Sequence, residues 1–215
     1  MFIELVDSLR CPHAHEDSWL VLAAERMDGR RVLDGVLGCP VCRRQYRIAD
    51  GVADLRTDGS AAPATEAPRT PPSADAEQAV RLAAFLNLAD GGGYAILVGA
   101  WTRYAAGLLA LGGTHLLLVN PEPGVIILTG TSGLLADSSL PLAPAGARAL
   151  ALDASASPAF VATALRAVQT RGRVVAPTTL PVPAGVTELA RDASVWVAER
   201  NAPASDLVSL SRKPR

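Results

Sequence analysis

Three cysteines and one histidine near the amino terminus have the residue types and spacing of a metal site. Cys39 and Cys42 are separated by two residues, a spacing at which two thiolates can chelate one ion, and Cys11 supplies a third thiolate. The position where a second such pair would place its partner is an alanine. His15 is the first choice for the fourth ligand because an imidazole reaches further than a thiol, and His13 is the second choice.

The cysteine count also indicates the compartment. The chain has 3 cysteines, and an odd number that includes a Cys-Pro-Val-Cys pair favours a bound metal over a disulfide framework. We therefore expect zinc in a cytoplasmic, reducing environment. A relict site with partial or no metal is the alternative.

The stretch from Gly91 to Tyr104 has the layout of a nucleotide-binding βα turn: a glycine run, a short apolar strand, one glycine and then a helix. Such turns hold a ligand with bare backbone N–H groups, and glycines let the ligand come close. Here the turn offers Gly99 but is followed at once by Trp101. We expect the indole to fill the space that a cofactor would occupy.

Residues 1–56, which contain the three cysteines, are predicted to form a small β unit. Residues 19–26 and 31–37 are two predicted strands joined by an Asp28-Gly29 hairpin turn, and residues 45–48 are a third strand. A unit of this size is too small to be stable on core burial alone, which favours a metal.

This first unit resembles the small zinc-ribbon activator subunits of tRNA and protein methyltransferases. The resemblance is carried by Leu9-Arg-Cys-Pro12, Gly38-Cys-Pro-Val-Cys42 and Tyr46-Arg-Ile-Ala-Asp-Gly-Val52. In that family the ribbon binds a partner methyltransferase and has no chemistry of its own. The resemblance therefore implies an interaction module.

A linker rich in alanine, proline and threonine is predicted over 57–74, an α/β domain over 75–200, and a polar tail over 201–215. Residues 125–129 stay open between strand and helix, and the last strand is expected to be antiparallel at the sheet edge. The predicted strands are 94–98, 115–120, 134–137, 149–152, 171–177 and 194–199, and the predicted helices are 75–90, 102–111 and 159–170.

The second unit resembles a class I S-adenosylmethionine-dependent methyltransferase, which implies a doubly wound, Rossmann-like sheet. The resemblance is carried by Leu135-Ala-Asp-Ser-Ser-Leu-Pro141 and Arg171-Gly-Arg-Val-Val-Ala-Pro177. It places Gly99, Asn120 and Asp137 at the cofactor. Asn120 stands where the family has a ribose-binding acid. The acid of the family's first motif is also missing, since its position falls near Leu97. Loss of these two polar anchors would weaken the cofactor affinity by two to four decades, at about 1.5–3 kcal/mol each.

The amino-acid composition and charge of the chain argue against several other functions. The net charge of −1 gives no reason to expect nucleic acid, so Arg43, Arg44 and Arg47 are interpreted first as a solvated face and only second as an RNA contact. No signal peptide is expected, and no apolar run approaches a membrane span. His115, within an apolar strand, is predicted to be a core histidine and not a general base.

The sequence thus predicts a small β zinc-ribbon-like domain followed by a methyltransferase-like α/β sheet. We expect a non-catalytic adaptor, a pseudoenzyme whose partners are other proteins in a larger assembly. A methyltransferase with a divergent S-adenosylmethionine pocket is the alternative.

Overall fold

The computed structural model describes residues 1–57, 75–89 and 92–202. Most of the predicted linker and tail lie outside the described residues. The helices are α1 (Ile3–Val6), α2 (Ala76–Phe85), α3 (Ala105–Ala110) and α4 (Pro158–Ala167), with a 3₁₀ helix at Gly99–Tyr104. The strands are β1 (Val21–Asp28), β2 (Arg31–Gly38), β3 (Gln45–Ala49), β4 (Val52–Asp54), β5 (Tyr94–Val98), β6 (His115–Val119), β7 (Thr131–Leu135), β8 (Ala147–Ala151), β9 (Val168–Pro177), β10 (Val186–Arg191) and β11 (Val195–Arg200).

The strands of the described residues form one mixed sheet of 11 strands in the order β1-β2-β3-β4-β7-β6-β5-β8-β9-β11-β10. Strands β4 to β9 of this order are paired in parallel, and antiparallel strands flank them on both sides. The predicted α/β class is confirmed. Between β6 and β8, however, the described chain crosses over without a helix, so the helices are fewer than in a regular doubly wound sheet.

Strands β5 and β6, in the middle of the sheet, are buried on both faces because their side chains are apolar at nearly every position. Ile96 and Val98 of β5 belong to one buried cluster, and the alternate residues Ala95 and Leu97 belong to a second. Helix α4 packs with the first cluster, whereas α2 and α3 pack with the second. Two of these helices begin at side-chain caps, Asp75 for α2 and Ser157 for α4.

The amino-terminal β unit is joined directly to this sheet. Its last strand, β4, pairs in parallel with β7, with Val52 opposite Gly133 and Ala53 opposite Leu134. Leu37 and Ile48 of the β unit lie in the same buried cluster as Leu117 and Leu134 of the central strands. The sequence-based boundaries at 56 and 75 remain a prediction, but the two parts share one sheet and one core.

Several local predictions differ in part from the structure. Residues 125–129, left open between strand and helix, are neither, and residues 102–111 begin as a 3₁₀ helix. The last strand is antiparallel as predicted, but β10, which was not predicted, covers it and forms the edge. His115 is exposed, with its ring 3.8 Å from the Phe2 ring centroid, because it is the first residue of β6 and lies outside the core.

Candidate metal centre and cofactor pocket

Two segments that lie far apart in sequence bring the predicted metal ligands together. The segment before β1 carries Cys11 and His15, and the turn after β2 carries Cys39 and Cys42. One candidate ligand atom from each residue lies within 4.8 Å of all the others. The turn is closed by the backbone N–H of Arg43, which donates to the Cys39 carbonyl at 2.9 Å. Arg43 adopts a left-handed φ of 59° there.

The spacing of these atoms fits a tetrahedral zinc ion. With Zn–S bonds of about 2.3 Å, two thiolates on one tetrahedron lie about 3.8 Å apart. The Sγ atoms of Cys11 and Cys42 are separated by 3.7 Å, and the Cys39 Sγ lies 3.4 Å from the His15 Nε2. All three cysteines are free thiols. The four side chains therefore suit a Cys₃His site.

Hydrogen bonds prepare two of the ligands for a cation. Burial alone would raise the pKa of the Cys39 thiol, but hydrogen bonds from the backbone of Cys42 and Val41 and from neighbouring thiols lower that pKa to about 6. His15 Nδ1 lies 2.6 Å from the Glu16 carbonyl oxygen, and this contact is the main cause of a raised His15 pKa. When Nδ1 carries the proton, the lone pair of Nε2 faces the thiols.

His13, the second choice for the fourth ligand, lies beside the cluster and is not part of it. Its ring stacks on that of Tyr46, with centroids 6.2 Å apart and the planes inclined by 26°. Burial, followed by the charges of Arg44 and His15, lowers the pKa of His13. The structure therefore brings His15 to the three thiols.

The three residues predicted to bind a cofactor also meet. Gly99, Asn120 and Asp137 line one pocket of about 350 Å³ at the carboxyl ends of β5, β6 and β7. Trp101, which was expected to fill this space, is not among the lining residues. Its indole turns away, donates to the Leu152 carbonyl at 2.7 Å and packs with the second buried cluster. The prediction that the indole closes the pocket was wrong, because a nearby carbonyl and an apolar cluster satisfy it elsewhere.

The polar groups of this pocket are nevertheless engaged within the protein. Asn120 donates to the Ala136 carbonyl at 2.9 Å and accepts from the Ala136 N–H at 3.0 Å. The Asp137 carboxylate accepts from the backbone N–H of Thr57 at 2.6 Å and from its hydroxyl at 3.1 Å.

The backbone of the turn after Gly99 is also hydrogen-bonded within the protein. The first N–H of the turn, that of Ala100, donates to the Asp153 carboxylate at 2.9 Å. Gly99 has a φ of +55°, and a Cβ at this position would lie 2.8 Å from the Asp153 Cγ. Asp153 directly follows the predicted strand 149–152, but nothing in the sequence shows that its carboxylate would bind this turn.

Comparisons with known proteins identify no family for this chain. No family model matches the chain, and no curated protein matches it. Among solved structures, the chain is similar to Thermoplasma acidophilum 1320 at 12% identity with a TM-score of 0.36, and the match covers 62% of this chain and 90% of that one. A likeness of this size supports no statement about function. Among the described residues, no helix has both the length and the apolar character that crossing a membrane requires.

Proposed function

We propose that this protein is a non-catalytic adaptor, in which a zinc ribbon and a methyltransferase-like sheet form one scaffold for protein contacts. The observation that carries the proposal is the state of the cofactor pocket. One Asp137 oxygen, the Asn120 amide and the N–H of Ala100 have protein partners, and a cofactor that used the same atoms would have to compete with those bonds. Each exchange forfeits most of the roughly 0.5–1.5 kcal/mol that such a hydrogen bond contributes.

The strand order supports the methyltransferase-like part of the proposal. Counted from β5, the central strands lie in the order third, second, first, fourth, fifth, which agrees with the common doubly wound order. Helices on both faces of these strands agree with it as well.

The ligand set indicates a structural role for the metal. Cys11, His15, Cys39 and Cys42 would fill all four positions of a tetrahedral zinc ion, whereas catalytic zinc sites keep one position open for water or substrate. The three thiolates and the imidazole would hold the zinc, which would then cross-link the segment before β1 to the turn after β2.

The ribbon has already buried one face against its own chain, through β4 and the shared core. An outside partner must therefore use the opposite side. Trp19, Val21 and Val41, on or beside β1 and the cysteine turn, are 56%, 63% and 43% exposed. The Arg10 guanidinium lies 2.9 Å from the centre of the Trp19 ring and holds the indole in place. An ordered, exposed tryptophan among apolar residues is typical of a protein contact.

We expect Trp19→Ala combined with Val41→Ser to remove the partner without unfolding the protein, because both side chains are exposed. Co-purification from the native source under mild conditions, followed by size analysis, should show the unaltered chain in a larger complex. The double variant should lose about 2 kcal/mol or more of binding, roughly a 30-fold weaker affinity.

Leu111→Ser is the matched control, since Leu111 is 52% exposed at the far end of α3 and should leave the complex intact. A lone monomer of the unaltered chain would argue against the adaptor, and equal retention of all variants would argue against this surface.

One observation favours the alternative, a methyltransferase with a divergent pocket. The pocket lies at the carboxyl ends of parallel strands, where ligands bind in open α/β sheets, and no indole fills it. The three arginines beside the cysteine turn, Arg43, Arg44 and Arg47, are exposed. No further observation favours an RNA contact over a solvated surface for them.

A further inference from the structure

Tyr46 is not a candidate metal ligand itself, but it contacts one of the candidate ligands. Its hydroxyl oxygen lies 3.3 Å from the Sγ of Cys11, and its side chain is 6% exposed. The residue stands on β3 opposite Leu37 of β2, so that the sheet register fixes its position. The stacked His13 ring covers it. A buried phenol therefore lies in a fixed position beside one proposed ligand.

The direction of this hydrogen bond follows from the chemistry of the ligand. A metal-bound cysteine is a thiolate and has no proton to give. The phenol must then be the donor, and the sulfur must be the acceptor. The geometry points to Tyr46 as a positioning residue of the metal centre, one that donates a hydrogen bond to the Cys11 thiolate.

Two consequences follow for the centre. Three thiolates around one divalent cation leave a net negative charge in a half-buried site, and a hydrogen-bond donor to sulfur offsets part of it. The same bond also fixes the orientation of Cys11, which is the only thiolate contributed by the segment before β1. Cys39 and Cys42 are fixed instead by the tight turn that joins them.

The inference rests on the proposed metal centre, so the test must separate the two. The full chain is loaded with Co²⁺, whose absorption reports both tetrahedral geometry and sulfur-to-metal charge transfer, and the metal is then withdrawn with a competing chelator. Tyr46→Phe should lower the metal affinity about 10- to 100-fold, the usual effect of losing an outer partner of a ligand. It should also move the charge-transfer band to lower energy, because the sulfur lone pairs lose the hydrogen bond that stabilises them.

Tyr94→Phe is the matched control. Tyr94 is on β5, outside the metal cluster, and its hydroxyl is also buried. This variant should leave both the affinity and the band unchanged. If the unaltered protein gives a tetrahedral cobalt spectrum and Tyr46→Phe changes neither quantity, the role of Tyr46 is overturned while the metal centre stands. If the unaltered protein takes up no cobalt, both fall.

A second measurement covers the case in which Tyr46→Phe does not fold, which circular dichroism would show. Adding metal to the unaltered protein should shift the resonance Raman doublet of tyrosine toward the pattern of a strong hydrogen-bond donor. Only 3 tyrosines contribute to this signal, and Tyr94→Phe should retain the shift. No shift on metal addition would overturn the inference without the need for any substitution at Tyr46.

Discussion

Changing Cys39 and Cys42 together to serine should abolish metal binding and strongly lower the stability of the protein. Structural zinc contributes about 10–16 kcal/mol of binding free energy in zinc-finger peptides, whereas whole domains are stable by only about 5–15 kcal/mol. Cys39 is buried in the cluster that also contains Leu117 and Leu134 of the central sheet. Loss of the metal should therefore loosen the core beyond the ribbon.

Native mass spectrometry should find one zinc ion per unaltered chain and none on the double variant. Thermal unfolding followed by circular dichroism should show a lower midpoint for the double variant, and a strong chelator should have the same effect on the unaltered protein. Val41→Ser, which changes an exposed residue between the two cysteines, is the control and should keep its zinc. A metal-free protein with unchanged stability would contradict the proposed structural centre.

Gly133→Val should have the second-largest effect, because this glycine permits the contact between the ribbon and the central sheet. A Cβ at Gly133 would lie 2.7 Å from Val52 Cγ2 and 3.1 Å from Ile127 Cδ1. Val52 is the residue of β4 that pairs opposite Gly133. Overpacking of a buried site costs about 1–3 kcal/mol, and valine at this position should reach about 3 kcal/mol. That corresponds to roughly 6–12 °C in the midpoint for a chain of this size.

Gly38→Val provides the comparison. Gly38 is also a strand glycine, in β2, but the nearest atom to its added Cβ would be the Val21 carbonyl at 3.9 Å. Denaturant unfolding should show a clear loss of stability for Gly133→Val and a much smaller one for Gly38→Val. Equal stability of the two variants would show that the ribbon does not depend on close contact with β7.

The metal ligands could be chosen from sequence because their spacing carries the chemistry. A pair of cysteines separated by two residues must share a turn, and only the choice between His13 and His15 needed the structure. The parallel strands were also predictable, since β5 and β6 are apolar at nearly every position. Strands with apolar side chains on both faces are stable only in a sheet that is covered by other elements on both sides.

The remaining features depend on contacts between residues that are distant in sequence. Strand β10 is exposed at most positions, so it lacks the apolar pattern that marks a strand. The pairing of β4 with β7 joins residues about 80 positions apart, and nothing local in Val52–Asp54 indicates it. The Trp101 indole was placed in the pocket because its carbonyl partner, on Leu152, could not be identified from sequence.

Calorimetric titration with S-adenosylmethionine tests the central claim most directly. Since Asn120, Asp137 and the N–H of Ala100 are engaged within the protein, we expect no saturable heat at cofactor concentrations up to about 1 mM, the range of a binding free energy near −4 kcal/mol. The zinc-loaded, full-length chain should be used, so that the pocket is measured in the intact sheet. Saturable binding at micromolar concentration, lost on Asp137→Ala, would contradict the non-catalytic scaffold and favour a methyltransferase.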